Sequence, residues 1–159
     1  MMRPKLREQN IKIRKFRVSD ASKVSRLVRG TLKTVNAREY PKKTIQMFVK
    51  YFSAQNIKKD SKTDSIYLAF AGSKLVGCGK VSRENWIGML FLKPRYIGKG
   101  IGALLLSQLE KAAKKHKTKA IHANSAPGAL RFYIKHGFKK VKKIKKDTGG
   151  IAYVVKKKL

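Results

Sequence analysis

Apolar side chains recur along this chain with two periods, and each change of period marks a new element. Ile11, Ile13 and Phe16 roughly alternate with basic residues, which predicts a short first strand. Ser19-Asp20 then offers an N-cap, and Ala21, Val24, Leu27, Val28, Leu32 and Val35 follow at helical spacing, so a first helix is expected. Asn36 to Tyr40 interrupts that stripe. Pro41 stands where a helix tolerates proline, in its first turn, and Ile45, Phe48, Val49 and Phe52 carry a second helix. Lys58 to Ser65 reads as a polar loop. Ile66 to Phe70 and Leu75 to Val81, joined through Gly72-Ser73, read as a hairpin, and Trp86 to Leu92 is a third run ending before Pro94. A glycine-studded stretch opens a third helix, long and amphipathic, reaching about His116. Ala120 to Asn124 is a short strand, Pro127 starts a fourth helix, and Gly137 stands just past its end as a left-handed cap. Phe138 to Val141 and Ile151 to Val155 close the chain as strands.

Hairpin strands lying between helices argue for a mixed sheet rather than a doubly wound parallel one. The expected class is therefore α+β: a mixed, largely antiparallel twisted sheet of about seven strands flanked by four helices. With 159 residues, 42% hydrophobic, no internal repeat and no Pro- or Ser-rich linker, residues 1–159 read as one domain.

Charge changes the picture more than composition does. Forty Lys and Arg against eight Asp and Glu leave a formal charge of +32. Such a field attracts phosphates and nucleic acid without specificity and says nothing of the fold. No RNP sequence, KH loop or helix-turn-helix accompanies it, and the lysine clusters at 111–119 and 139–143 lack interleaved Tyr or Trp for base stacking. The charge therefore reads as a solvated basic face on each element, with non-specific nucleic-acid affinity at low salt. The same field speeds the arrival of anionic ligands and disfavours polycations. Cys78, the single cysteine, excludes an internal disulfide and a cysteine-built zinc cage, and in Gly77-Cys78-Gly79 it reads as a small buried thiol. The charged start, Met1-Met2-Arg3-Pro4-Lys5, leads into no apolar segment, and the longest apolar runs fall short of the ~18 residues of a membrane span. A soluble cytoplasmic protein, monomer or homodimer, with no membrane contact and no metal, is expected.

The most specific local feature is a strand, a proline, then Gly98-Lys99-Gly100-Ile101-Gly102-Ala103 running into a helix. Glycines there let backbone amides approach a ligand, and the helix dipole favours an anion; a pyrophosphate is the natural occupant. The spacing is neither that of a P-loop, since Ala103-Leu104 stands where Lys-Ser would be needed, nor that of a dinucleotide fingerprint, which lacks its downstream acid here. A tight strand-to-helix turn without a ligand fits the glycines equally well.

The segment from Leu90 to Leu105 resembles the acetyl-CoA signature of the GCN5-related N-acetyltransferases (GNAT). Ala129-Leu130-Arg131-Phe132-Tyr133-Ile134-Lys135-His136-Gly137-Phe138 is similar to that family's Ala-x-x-Phe-Tyr-x-x-x-Gly-Phe segment. The resemblance implies a GNAT-like fold and transfer of an acetyl group from acetyl-CoA to a primary amine by direct attack in a ternary complex. It implies that Leu90, Phe91 and Leu92 splay from the next strand and bind the pantetheine arm by their backbone. It further implies that residues 98–103 hold the pyrophosphate and that Tyr133 protonates the leaving thiolate. Two positions depart from the family. Ile97 fills a slot usually held by Gln or Arg, with Arg95 displaced by two, and Ala126 replaces an Asn, for which Asn124 is the candidate substitute.

The general base is open. Glu84, just before the third strand of the hairpin region, is the first candidate and Glu39, after the first helix, the second; each reads equally as a solvated acid. His122 is a third, in a strand where a lone histidine is more often structural. Tyr133 has its own alternative as a packing aromatic beside Phe132. The competing function is a catalytically weak GNAT-like module that binds CoA, or an RNA-associated basic protein.

Overall fold

The computed structural model describes residues 10–159; the charged start at 1–9, on which the reading of the N-terminus rests, lies outside them. The described residues form a seven-stranded sheet and five α-helices. The strands are β1 (Ile11–Lys15), β2 (Ser65–Ala71), β3 (Lys74–Val81), β4 (Trp86–Leu92), β5 (Ala120–Ser125), β6 (Lys139–Lys145) and β7 (Ile151–Lys158), in the spatial order β1-β2-β3-β4-β5-β7-β6. Every neighbouring pair is antiparallel except β4–β5. This is the mixed, largely antiparallel sheet that the patterning predicts.

The helices are α1 (Ala21–Thr34), α2 (Lys42–Tyr51), α3 (Ala54–Asp60), α4 (Ile101–Ala113) and α5 (Leu130–Lys135). Four were expected, and α3 is the addition, built partly from a stretch read as loop. It buries a single apolar side chain, Ile57, so it carries no stripe for periodicity to detect. What holds it is local and tertiary. The Ser53 hydroxyl accepts from the Asn56 N–H at 3.2 Å, and Asp60 pairs with the buried Lys80 of β3 at 2.7 Å. The last helix starts later than its proline suggests, because Pro127–Ala129 is a 3-10 turn.

Two cores sandwich the sheet. On one face α4 and α5 bury Ile101, Leu105, Leu109 and Tyr133 against Val76, Ile121 and Val155. On the other, α1 to α3 bury Val24, Val28, Leu32, Phe52 and Ile57 against Leu68, Cys78 and Met89. Burying a large apolar side chain contributes about 1.5–3 kcal/mol, so these two layers supply most of the drive to fold. Cys78 sits fully buried in the second layer, where burial pushes its thiol up to about 12; it is a packing residue, as its Gly-Cys-Gly setting predicts.

Candidate active site

The single parallel pair sets the site. β4 and β5 hydrogen-bond only at Trp86–His122 and Ile87–Ala123. Past these the strands diverge, and the register of β4 against β3 shifts at Lys80/Val81. The space between them is a cleft of about 750 Å³, lined on one side by Gly88 to Leu92 and on the other by Asn124 to Ala126. Asn85 clamps the closed end. It is fully buried in a left-handed turn (φ +62°), and its Nδ2 donates to the carbonyls of Ala113, Thr118 and Ala120 at 3.2, 2.9 and 3.0 Å. Its Oδ1 meets His116 Nδ1 at 2.6 Å, and its carbonyl accepts from the His122 N–H at 2.8 Å. One side chain thus ties the end of α4 to the start of β5. Nothing in the sequence marks it, since its partners are distant in the chain.

The glycine stretch forms the cleft's upper mouth. Gly98 and Gly100 adopt φ of +78° and +88°, a conformation costly for any residue with a Cβ, and Gly100 is the residue from which α4 departs. The first bond of the helix runs from the Leu104 N–H to the Gly100 carbonyl at 3.3 Å. The amides of Ile101, Gly102 and Ala103 therefore project from the helix end, where partial positive charge favours an anion. Gly102 has a second reason to be glycine: a Cβ there would come within 3.2 Å of the Phe132 ring, which brings α5 against α4. At the far end of β4 the Thr31 hydroxyl donates to the Leu92 carbonyl at 3.0 Å, pinning α1 to the strand.

Tyr133 lies in the same cleft, 6% exposed, with its ring edge-on to Phe132 and Phe138. Burial pushes its phenol well above the ordinary value, so the hydroxyl is a proton donor at any neutral pH. The same cleft is lined by Glu39 and Tyr40 from the segment between α1 and α2 and by Phe48 and Tyr51 from α2. Glu39 Oε1 accepts a short bond from the Gly128 N–H, closing the mouth between that segment and the turn before α5. Glu39 is the one carboxylate lining the cleft among the described residues. The β6–β7 loop forms the floor: Lys146 lies over the Phe48 ring at 5.2 Å, and Thr148 bonds Thr44 of α2 at 2.6 Å.

Leu90, Phe91, Leu92, Gly98, Gly100, Gly102, Ala103, Asn124 and Tyr133, drawn from four separate stretches of chain, come together in this cleft. Others do not. Ile101 turns its side chain into the core, fully buried, and Lys99 lies over the Tyr96 ring at 5.5 Å. Glu84 is exposed in the turn before β4, near enough to Asp64 to repel its charge, and lies outside the cleft lining. The sequence ranks it ahead of Glu39, which is the one of the two that lines the cleft. His122 stacks on Trp86, ring centroids 4.8 Å apart, and also lies outside the lining. Burial, then the charge of Lys156, holds it below the usual imidazole value, and its buried Nδ1 has no hydrogen-bond partner. Lys146 escaped sequence reading because no spacing connects α2 to a loop near the C-terminus, whereas the aromatic wall falls within Asn36 to Phe52, where the family resemblance puts the acceptor pocket. No group of His, Cys, Asp and Glu among the described residues could hold a metal, and no helix among them is long and apolar enough to cross a membrane.

A splayed parallel strand pair, an amide-lined helix mouth and a buried phenol in one cleft define a class of acyl-transfer enzyme. The family model described as an acetyltransferase (GNAT) domain matches residues 36–159. The chain belongs to the GNAT acetyltransferases, and by that membership it is an acetyl-CoA-dependent N-acetyltransferase. It is similar to a spermidine N(1)-acetyltransferase of Thermoplasma acidophilum, 29% identical over 163 residues that cover 94% of this chain and 98% of that one. Among solved structures it resembles the PaiA N-acetyltransferase of the same organism in complex with coenzyme A, at 26% identity and a TM-score of 0.79, covering 94% of this chain and 99% of that one. A GCN5-related N-acetyltransferase from Rhodopseudomonas palustris superposes with a TM-score of 0.85 over 93% of this chain and 95% of that one. At 17% identity that likeness is one of fold.

Proposed function

We propose that the protein acetylates a primary amine by direct attack on acetyl-CoA in a ternary complex, with the pyrophosphate on the α4 amides and the pantetheine arm along Leu90 to Leu92. The ammonium first sheds a proton to the Glu39 carboxylate, directly or through water. The freed amine then attacks the thioester carbonyl, a C–N bond forms and the C–S bond breaks. Tyr133 donates its proton to the departing sulfur, and the second proton of the now cationic nitrogen returns through water to the Tyr133 phenolate. Burial strengthens the phenol's hold on its proton, and the same dry surroundings raise the proton affinity of a nascent thiolate, so desolvation acts on donor and acceptor in the same direction. Glu39 takes the role for which Glu84 was the first candidate. The observation that carries this reading is that a protonated phenol, one carboxylate and a helix mouth line the same cleft.

The acceptor we infer carries one positive charge and an apolar body. Glu39 offers one countercharge, Tyr40, Phe48 and Tyr51 offer aromatic surface, and Lys146 occupies the face of Phe48 that a second ammonium would need. Four of the chain's eight acids are committed elsewhere, Asp20 to Arg14, Asp60 and Asp64 to Lys80, and Glu110 to Lys157. Spermidine is the second reading, favoured by the Thermoplasma relative. A thiol-release assay with acetyl-CoA decides, comparing spermidine, arylalkyl monoamines and neutral dipeptides at equal concentration. Monoamines should lead. A spermidine rate about tenfold above every monoamine would overturn the acceptor reading. Coenzyme binding by calorimetry without thiol release for any amine would favour a binding module.

A further inference from the structure

The sheet assembles something the sequence keeps apart. Registered pairing places Trp86, His122, Lys156 and Lys139 directly opposite one another on β4, β5, β7 and β6. Residues paired in this way share a face. The face is the one opposite α4 and α5, because the alternate residues Ile121 and Val155 enter their core. The β6 register shift between Lys140 and Lys142 adds Lys142 to it, opposite Val154. On this face α2 covers the loop end, through Tyr40 and Thr44 against Gly150, and Ala152 and Val154 of β7 are buried, whereas the row from Trp86 to Lys139 is open at Trp86 and at its lysines. Trp86 stays 38% exposed, and the three lysines are exposed.

We propose that this open face of β4-β5-β7-β6 is a docking surface for single-stranded RNA, with Trp86, backed by His122, stacking a base and Lys139, Lys142 and Lys156 following the phosphates. The lysine clusters carry no interleaved Tyr or Trp along the chain, yet the sheet places a tryptophan across from them. At a strand spacing of about 4.8 Å the row runs roughly 15 Å from ring to outermost ammonium. The Trp86 ring is already held nearly parallel to His122, at 23°, so stacking a base costs it little freedom. A net charge of +32 supplies the attraction, and an aromatic platform among cations is the arrangement that grips a single strand without reading its sequence. Anionic protein or inorganic polyphosphate would satisfy the lysines but has no use for the ring. The surface is independent of the acetyl-transfer reading, since none of these residues lines the cleft.

Trp86 is the only tryptophan in the chain, so its emission reports on this surface alone. The full-length protein is titrated with an oligouridylate 12-mer, the same length of duplex RNA, and inorganic polyphosphate. Binding is read by tryptophan emission and by anisotropy of labelled oligomer. The single strand should quench Trp86, and polyphosphate should compete without quenching. Trp86→Ala should weaken the single strand about tenfold and Trp86→Phe far less. The pair Lys139→Gln/Lys156→Gln should weaken it several-fold more than the charge-matched pair Arg26→Gln/Arg29→Gln on α1. Unchanged coenzyme affinity certifies that each variant is folded. Absent quenching, equal losses from both charge pairs, or duplex binding as tight as single strand would each overturn the proposal.

Discussion

The two halves of the cleft are built by different means. The half proposed for the coenzyme, from Leu90 to Ala103, is continuous in sequence and is made of backbone: two glycines at positive φ, a helix end and a strand edge. The half proposed for the acceptor gathers Glu39, Phe48, Tyr51, Gly128 and Lys146 from four separate places and is made mostly of side chains. A backbone site needs only the right local turn, so it leaves a fixed spacing in the sequence. A side-chain site needs only that its parts meet, and many sequences achieve that. The first half therefore announces the chemistry, and the second hides the substrate.

Substitutions can sharpen this contrast, and the largest effect is expected where the halves meet. Tyr133→Phe should lower kcat by about a hundredfold or more, the usual worth of a positioned proton donor, while calorimetry finds acetyl-CoA affinity unchanged. Because burial raises the phenol, the wild-type donor stays protonated up to and beyond its ordinary value of 10, so any alkaline fall in kcat below that pH belongs to another group. An equal loss of affinity and turnover would make Tyr133 a packing residue.

On the coenzyme side, Gly100→Val forces a β-branched residue to φ +88° at the start of α4. A strain of about 1–2 kcal/mol should weaken coenzyme binding about tenfold, seen by calorimetry, with little change in the amine KM. On the acceptor side Glu39→Gln removes the proposed base, and kcat should fall about a hundredfold. The smallest effect is on the amine KM, which should rise about fivefold, the order expected for losing one partly exposed charge interaction, with coenzyme affinity intact. Were Gly100→Val to act mainly on the amine, or Glu39→Gln mainly on the coenzyme, the division into halves would fail.

How much of this was legible beforehand follows the same line. Strand and helix periods together with turn signals located all seven strands and four of the helices; α3, with Ile57 alone buried and no turn signal before it, had neither to show. The left-handed cap at Gly137 was readable from its place after α5, and the structure gives it φ +93°. Glu84 outranked Glu39 on the chain because nearness to β4 in sequence passed for nearness in space. The turn carries Glu84 outward, whereas the 3-10 turn after α1 carries Glu39 to Gly128. Asn85 was invisible for a related reason. An asparagine in a turn is common, and its weight comes from three carbonyls that only the packed α4 and β5 deliver.

By itself the sequence determined the periodic elements, the mixed sheet, the glycine mouth, the family and the cationic field, because each is set by local geometry or by a plain sum of charges. Only the tertiary structure decided which carboxylate lines the cleft with Tyr133, which side chains make the wall proposed for the acceptor, and that a tryptophan and three lysines share a sheet face. Those depend on strand register and on how far two strands diverge, quantities fixed by the packing of the whole molecule and written in no single stretch of it.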